Sequence, residues 1–262
     1  MPTVQLFATC LIDTFYPEVG EAIVDIFSRL GVSVDFPPDQ TCCGQPSFNA
    51  GLRADARQIA EHMIEVFERP VKSSETSQVL PDIVSPSGSC VHMLRVNYPE
   101  LFADDPKWLT RAQSLAARTF EFSEYLVDKL GVTDVGARWD GTLTYHPSCH
   151  LSRGLGVDRQ PRALLAAVQG AQIAELPHAD ECCGFGGIFS VTHPEVSKEM
   201  LLNKIGNLEK SGAPTLVVPD AESGAPTLVV PDAGCLMHIT GGLHRMRKGQ
   251  RAVHLAEVLN SR

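Results

Sequence analysis

The sequence has no long hydrophobic run and no recognisable leader peptide. No window approaches the roughly 20 apolar residues that cross a bilayer as a helix. The N-terminal stretch MPTVQLFATC does not combine a basic start with an apolar segment. We therefore expect a protein that does not span a membrane and that acts in the cytoplasm. With 262 residues, 44% of them hydrophobic, the chain is long enough to bury a full core.

Excess positive charge is also missing. The formal net charge is -9 at pH 7, and the 22 lysine and arginine residues are scattered along the chain. A nucleic-acid interface needs a basic face, so nucleic acid is not an expected partner. The sequence contains no G-x-G-x-x-G fingerprint and no G-K-[ST] phosphate loop, and the FGG at residues 185–187 is only a weak look-alike. We predict no nucleotide site and assign no catalytic residue.

Cysteine, in contrast, is abundant, with eight residues. In a reducing compartment, clustered thiols more often bind metal or carry out redox chemistry than form structural disulfides. Adjacent Cα atoms lie about 3.8 Å apart, closer than the roughly 4.4 to 6.8 Å of a relaxed disulfide. We therefore do not expect Cys42 and Cys43 to bridge each other.

The cysteines form an internal repeat. Cys10 precedes the pair at Cys42 by 32 positions, and Cys149 precedes the pair at Cys182 by 33. DIVSPSGSCVHM around Cys90 then matches LVVPDAGCLMHI in the second half. Each half contains a single cysteine, a pair and another single cysteine. The predicted metal and cofactor ligands are Cys10, Cys42, Cys43, Cys90, Cys149, Cys182, Cys183 and Cys235.

The apolar patterns predict an α/β protein made of two pseudo-symmetric halves with parallel sheets. Short runs such as VQLFA and TLVVP alternate with amphipathic stretches such as ADARQIAEHMIEVFERP and PEVSKEMLLNKIGNLEK. In such sheets, sites gather at the carboxyl ends of strands, where the cysteine loops are expected. We place the first cysteine-rich domain at residues 1–138 and the second at 139–262, with the join near ARWDG, residues 137–141.

Four thiolates from three loops would form a soft site that selects zinc or an iron–sulfur cluster. Structural zinc sites usually contain C-x2-C pairs, which this chain lacks. A cluster is wider than one ion and accepts neighbouring cysteines. Glycines after each pair, at 44 and at 184, 186 and 187, allow a tight turn that brings N–H groups to the sulfur atoms.

These residues resemble the cysteine-rich CCG domain family, in which the domain occurs twice in one of the subunits of heterodisulfide reductase and in the iron–sulfur subunit of glycolate oxidase. The patterns C-x31-CCG and C-x32-CCG, with later cysteines in SGSC and DAGC, carry the resemblance over nearly the whole chain. It implies an iron–sulfur electron-transfer subunit of a multi-subunit L-lactate oxidation system. The other subunits would be its partners, and oxidation of the substrate would not occur on this chain.

The chain departs from the longer family pattern, which ends each half in C-x-x-C. Met93 and His238 occupy the last position of that motif. A noncubane cluster with five cysteines is therefore not expected, and the resemblance instead implies a [4Fe–4S] cluster in one or both halves. His238 could ligate iron. His146 and His150, on either side of Cys149, could donate hydrogen bonds to a cluster or transfer protons, or could simply belong to a turn.

Three functional classes remain open from the sequence. The first is the electron-transfer subunit. The second is a thiol/disulfide reductase of heterodisulfide reductase type, which the missing fifth cysteine disfavours. The third is an interaction protein in which zinc holds the loops together.

A short tandem duplication lies before the last cysteine. Residues 211–222 (SGAPTLVVPDAE) and 223–234 (SGAPTLVVPDAG) differ only in their last position. Only the second copy leads directly into Cys235, so we predict that Thr227 to Val230 form the buried strand that positions this cysteine. The first copy would then be an edge strand or a bulged loop.

Overall fold

The structure, a computed structural model, describes residues 2–71, 80–211 and 226–262. The chain divides into two compact units, Met1–Tyr125 and Leu126–Arg262. The predicted boundary between residues 138 and 139 falls at the start of a strand of the second unit, and it stays a prediction.

Each unit contains one four-stranded sheet in which every pairing is parallel. The strands are β1 (Thr3–Leu6), β2 (Ser33–Asp35), β3 (Asp82–Ser85), β4 (Thr119–Glu121), β5 (Arg138–Tyr145), β6 (Gln169–Ala174), β7 (Thr227–Val230) and β8 (Arg251–His254). The strand orders are β2-β1-β3-β4 and β6-β5-β7-β8. The second order repeats the first, strand for strand, which confirms the predicted fold class and its pseudo-symmetry.

Helices connect and cover the strands. They are α1 (Cys10–Phe15), α2 (Pro17–Arg29), α3 (Gln45–Asn49), α4 (Arg53–Phe67), α5 (Gly88–His92), α6 (Tyr98–Leu101), α7 (Pro106–Ala117), α8 (Phe122–Glu124), α9 (Arg159–Ala166), α10 (Phe189–Thr192), α11 (Pro194–Glu209), α12 (Ala233–Arg245) and α13 (Leu255–Asn260). Three π-helical segments span Met93–Asn97, Tyr125–Lys129 and His150–Gly154. Of the helices in the described part of the chain, none has the length and apolar character needed to cross a membrane.

Helix α4 shows how the sequence produces the layer beside the sheet. Its residues are mostly good helix formers, without glycine or proline. The buried residues Ala56, Ala60, Met63, Ile64 and Phe67 recur at helical spacing, so they form one apolar face. Phe67 packs edge to face on the aromatic ring that follows β1, with ring centroids 5.7 Å apart. Burying one such side chain contributes about 1.5 to 3 kcal/mol.

The second copy of the duplication forms β7, and all four residues of this strand are buried. The prediction for Thr227 to Val230 is therefore confirmed. Apart from Ser211, the first copy lies outside the described residues.

Candidate functional site

In the first unit, the four cysteines follow the carboxyl ends of three neighbouring strands. Cys10 begins α1 after β1, Cys42 and Cys43 lie in the loop after β2, and Cys90 lies in α5 after β3. Because β2, β1 and β3 are adjacent and parallel, their carboxyl ends bring these loops together at one edge of the sheet.

The thiols of the first unit contact one another directly. The Sγ atoms of Cys43 and Cys90 lie 3.5 Å apart. Hydrogen bonds from Cys10 and Cys43 lower the pKa of Cys42 to about 3, and the Gly44 N–H adds to this effect. Donating to Cys42 raises the pKa of Cys10, and burial raises it further. The first cysteine of the pair is thus the main hydrogen-bond acceptor of the group.

The second unit repeats this arrangement more tightly. The Sγ atoms of Cys183 and Cys235 lie 3.0 Å apart, and the Gly184 N–H donates to Cys182 Sγ at 3.4 Å. Hydrogen bonds from Cys149 and Cys183 lower the pKa of Cys182 to about 2. This structure therefore brings together all four predicted ligands of each half.

The glycine after each pair is required by the backbone. Gly184 has φ +91°, and a Cβ there would lie 2.6 Å from the Ser197 carbonyl oxygen. Gly44 has φ +82°, and its Cβ would lie 3.2 Å from a methyl group of Ile59. Only glycine combines this conformation with so close an approach of α4 or α11 to the cysteine loop.

The donor sets suit a thiophilic metal centre. All eight cysteines are free. Converging, mutually hydrogen-bonded thiols are soft ligands that bind zinc, copper(I) or iron–sulfur clusters better than hard cations. Cys43, Cys183 and Cys235 are also buried, and four partly buried thiols at the edge of one sheet are difficult to explain by packing alone.

The two sites differ at the position three residues before their first cysteine. The Phe7 N–H donates to Val84 O at 2.9 Å, and the His146 N–H donates to Val229 O at 3.0 Å. These matching hydrogen bonds show that the two residues are structurally equivalent. Both are completely buried, but one is an aromatic hydrocarbon and the other an imidazole.

His146 has a ligand nitrogen beside the second group of thiols. Among the described residues, this nitrogen and the Sγ atoms of Cys183 and Cys235 lie within 4.8 Å of one another. Within residues 2–71, 80–211 and 226–262, neither ring nitrogen has a hydrogen-bond partner of good geometry. Burial, assisted by the charge of Lys204, lowers the pKa of His146 to about 4, while the Ala179 backbone acts in the opposite direction.

The other two histidines considered from the sequence lie differently. His150 Nδ1 is 3.8 Å from Cys149 Sγ. His238 Nε2 lies 3.3 Å from Ser197 Oγ, and its ring lies against Phe185. Met93, the counterpart of His238, is completely buried in the apolar core.

Lys204 is a functional candidate that sequence analysis missed. Its side chain is buried, and Nζ donates to the carbonyl oxygens of His178 and Ala179 at 3.0 and 3.2 Å. Burial lowers its pKa. Gly44 lies against the Ala56 carbonyl oxygen of α4 as Gly184 lies against the Ser197 carbonyl oxygen of α11, and this register makes Met63 the counterpart of Lys204. The Met63 sulfur accepts the Thr41 N–H at 3.2 Å. A comparison of the two helices residue by residue could have identified this replacement of methionine by lysine.

The comparisons with known proteins agree with this duplicated arrangement. The family model described as "CCG: Cysteine-rich domain" matches residues 4–95 and 143–240. The chain is 46% identical over 260 residues to lactate utilization protein A of Exiguobacterium sp., covering 99% of this chain and 98% of the relative. It is 46% and 45% identical to the proteins of the same name from Bacillus subtilis and Geobacillus kaustophilus, over 259 residues and 99% of each chain.

Proposed function

The chain belongs to the cysteine-rich CCG domain family that includes lactate utilization protein A, and on this basis we propose that it is an iron–sulfur electron-transfer subunit of a multi-subunit L-lactate oxidation system. The observation that carries the proposal is the pair of four-thiol groups, each at the carboxyl ends of three adjacent parallel strands.

The proposed ligands are the four cysteines of each unit. Iron–sulfur clusters are held by cysteine thiolates, and a bound cluster supplies one-electron transfer. The chain's own residues would set the environment of such a centre. The Gly184 N–H already donates to a cysteine sulfur, and the aromatic and aliphatic core packed around Cys42 and Cys90 limits access of water to the first group.

Oxidation of lactate is assigned to a partner subunit. An enzyme that removes a hydride from a hydroxy acid, or that forms a carbanion on it, normally needs a flavin or a nicotinamide cofactor. Because the sequence contains no fingerprint for either, the role proposed for this chain is to pass electrons from the partner to an acceptor. The purified chain alone should therefore not reduce a dye with lactate, whereas the chain co-expressed with its partner subunits should.

Zinc binding is a second candidate, supported by one observation. The Sγ separations of 3.0 and 3.5 Å are near the spacing of about 3.8 Å expected for two thiolates on one tetrahedral ion with bonds of about 2.3 Å. A zinc centre would stabilise the loops and transfer no electrons. Iron–sulfur binding accounts better for two groups without any C-x2-C pair, and for that reason it is the preferred proposal.

Anaerobic analysis of paired-cysteine variants tests the ligand assignment. Iron and acid-labile sulfide per chain are measured for the wild type, for Cys42→Ser/Cys43→Ser, for Cys182→Ser/Cys183→Ser, and for the control Thr41→Ala. We expect each double variant to lose the iron of one unit and the control to lose none. Equal iron and sulfide contents in all four proteins would contradict the assignment.

A further inference from the structure

We infer that His146 is a further ligand to the metal centre of the second unit and binds through an imidazole nitrogen beside Cys183 and Cys235. This inference rests on the proposed metal-binding function, which it deepens by distinguishing one site from the other. The two centres would then differ in their ligands, with thiolates alone in the first unit and thiolates with one imidazole in the second.

The first argument is distance. A ligand nitrogen of His146 and the Sγ atoms of Cys183 and Cys235 lie within 4.8 Å of one another. Two donors on one tetrahedral metal atom, with bonds of about 2.0 to 2.3 Å, are about 3.5 to 3.8 Å apart. The three atoms therefore need to move by little more than about 1 Å to bind one metal centre.

The second argument is the absence of another role for the ring. His146 is completely buried, and in the part of the chain that the structure describes neither of its ring nitrogens has a hydrogen-bond partner of good geometry. A buried polar group without a partner is destabilising. A metal bond to one nitrogen would remove part of this penalty.

The third argument is the contrast between the two units. Beside the second thiol group, Lys204 Nζ donates to the carbonyl oxygens of His178 and Ala179. Buried lysine and histidine side chains thus lie near the thiols of the second unit, where the first unit has Met63 and Phe7.

The equivalence of Phe7 and His146 supplies the natural substitution for a test. His146→Phe gives the second unit the residue that the first unit already accommodates at this position, and His146→Asn is a smaller polar alternative in case the phenyl ring prevents folding. His238→Met is the matched control, because it also copies the first unit, where Met93 is buried in the core.

The experiment is pulsed EPR on the anaerobically prepared full chain, loaded with iron and sulfide and then reduced with dithionite so that the cluster carries an unpaired electron. We expect coupling to a nitrogen nucleus in the wild type, a changed pattern after labelling histidine with ¹⁵N, loss of the coupling in both His146 variants, and its retention in His238→Met. In competition with a chelator at equilibrium, we also expect the second unit of His146→Phe to bind metal at least tenfold more weakly, on the scale found when the surroundings of ligands are altered.

The inference and the proposed function can fail separately. Full iron and sulfide content without nitrogen coupling, or coupling that persists in both His146 variants, overturns the inference and leaves the proposed function intact. Protein that contains zinc but no iron contradicts the proposed function, and X-ray absorption at the zinc edge then decides the inference. A nitrogen ligand to zinc that disappears in His146→Phe supports the inference. Zinc with sulfur ligands alone overturns the inference, and so does protein that binds neither iron nor zinc.

Discussion

Met63 and Lys204 occupy equivalent positions in the two units, and each side chain makes a hydrogen bond with the backbone just before the cysteine pair. Met63 Sδ accepts an N–H there at 3.2 Å, whereas Lys204 Nζ donates to two carbonyl oxygens. The charge of Lys204 also acts on the thiols of Cys183 and Cys235. A buried cation therefore stands near one thiol group and a thioether near the other.

This difference predicts that Lys204→Met lowers the reduction potential of the second centre. A nearby positive charge stabilises the reduced, more negative state, and one charge in surroundings with an effective dielectric constant of about 20 is worth on the order of tens of millivolts. Redox titration followed by EPR measures the change. Lys198→Met, on the exposed side of the same helix, should have a smaller effect. Equal effects of the two variants would show that the buried charge of Lys204 does not change the reduction potential of the centre.

Gly184→Ala should destabilise the second unit by about 2 kcal/mol or more and weaken metal binding there. The new Cβ would lie 2.6 Å from a backbone oxygen, at φ +91°. Gly44→Ala should cost less, since its nearest neighbour is a side-chain methyl group at 3.2 Å that can move. Chemical denaturation gives both values. Gly206→Ala, in open space on α11, should be neutral or slightly stabilising, and a similar loss in all three variants would refute the steric argument.

Glu121 makes the stability of the first unit depend on pH. Burial raises the pKa of this carboxyl group to about 7 from its ordinary value of 4.5, against the hydrogen bonds from Ser123. Below pH 4.5 both the folded and unfolded states are protonated. As the pH rises toward 7, only the unfolded state ionises, so the free energy of unfolding falls by about 3 kcal/mol.

Glu121→Gln should therefore abolish this decline, and its stability relative to the wild type should increase between pH 5 and 8. Urea unfolding at several pH values measures the difference. Ser123→Ala is the informative companion, because it removes a hydrogen bond that lowers the pKa of Glu121 and should make the total decline larger and extend it to higher pH. Parallel pH profiles for wild type and Glu121→Gln would contradict the prediction.

Deleting residues 211–222 should preserve the fold and leave its thermal stability unchanged or higher. In this deletion variant, the connection from α11 to β7 would consist of Lys210 and the four residues of one SGAP copy. A connection of about five residues is of ordinary length. Deleting residues 223–234 gives the same product except for glutamate instead of glycine before Cys235. A Cβ at that position would lie 2.7 Å from the Phe185 ring, so this second deletion should be destabilised. Thermal unfolding of both variants tests the prediction, and unfolding of the first deletion would contradict it.

The sequence was sufficient for the fold and for the grouping of the cysteines, because parallel strands place their carboxyl ends at one edge. Alternating apolar runs and amphipathic stretches predicted β1, β3, β7, α4 and α11, and the spacing of the cysteines identified the repeat. The bounds of β5 were less accessible, since it begins at Arg138, within the polar stretch predicted to join the halves, and has an irregular register between Arg138 and Gly141.

The side chains that surround the thiols could not be predicted from the sequence patterns. The direction of the His146 side chain depends on the pairing of β5 with β7, which only the folded sheet defines. Lys204 looks like a surface residue of an amphipathic helix, because lysine is rarely buried. Its burial follows from two carbonyl oxygens in a loop more than twenty residues earlier in the chain.

The most direct test of the central claim is the visible spectrum, with metal and acid-labile sulfide analysis, of the full chain purified without oxygen. The account predicts brown protein containing iron and sulfide, whose absorbance bleaches on addition of a one-electron reductant and returns on reoxidation. Colourless protein with stoichiometric zinc and no sulfide would contradict it.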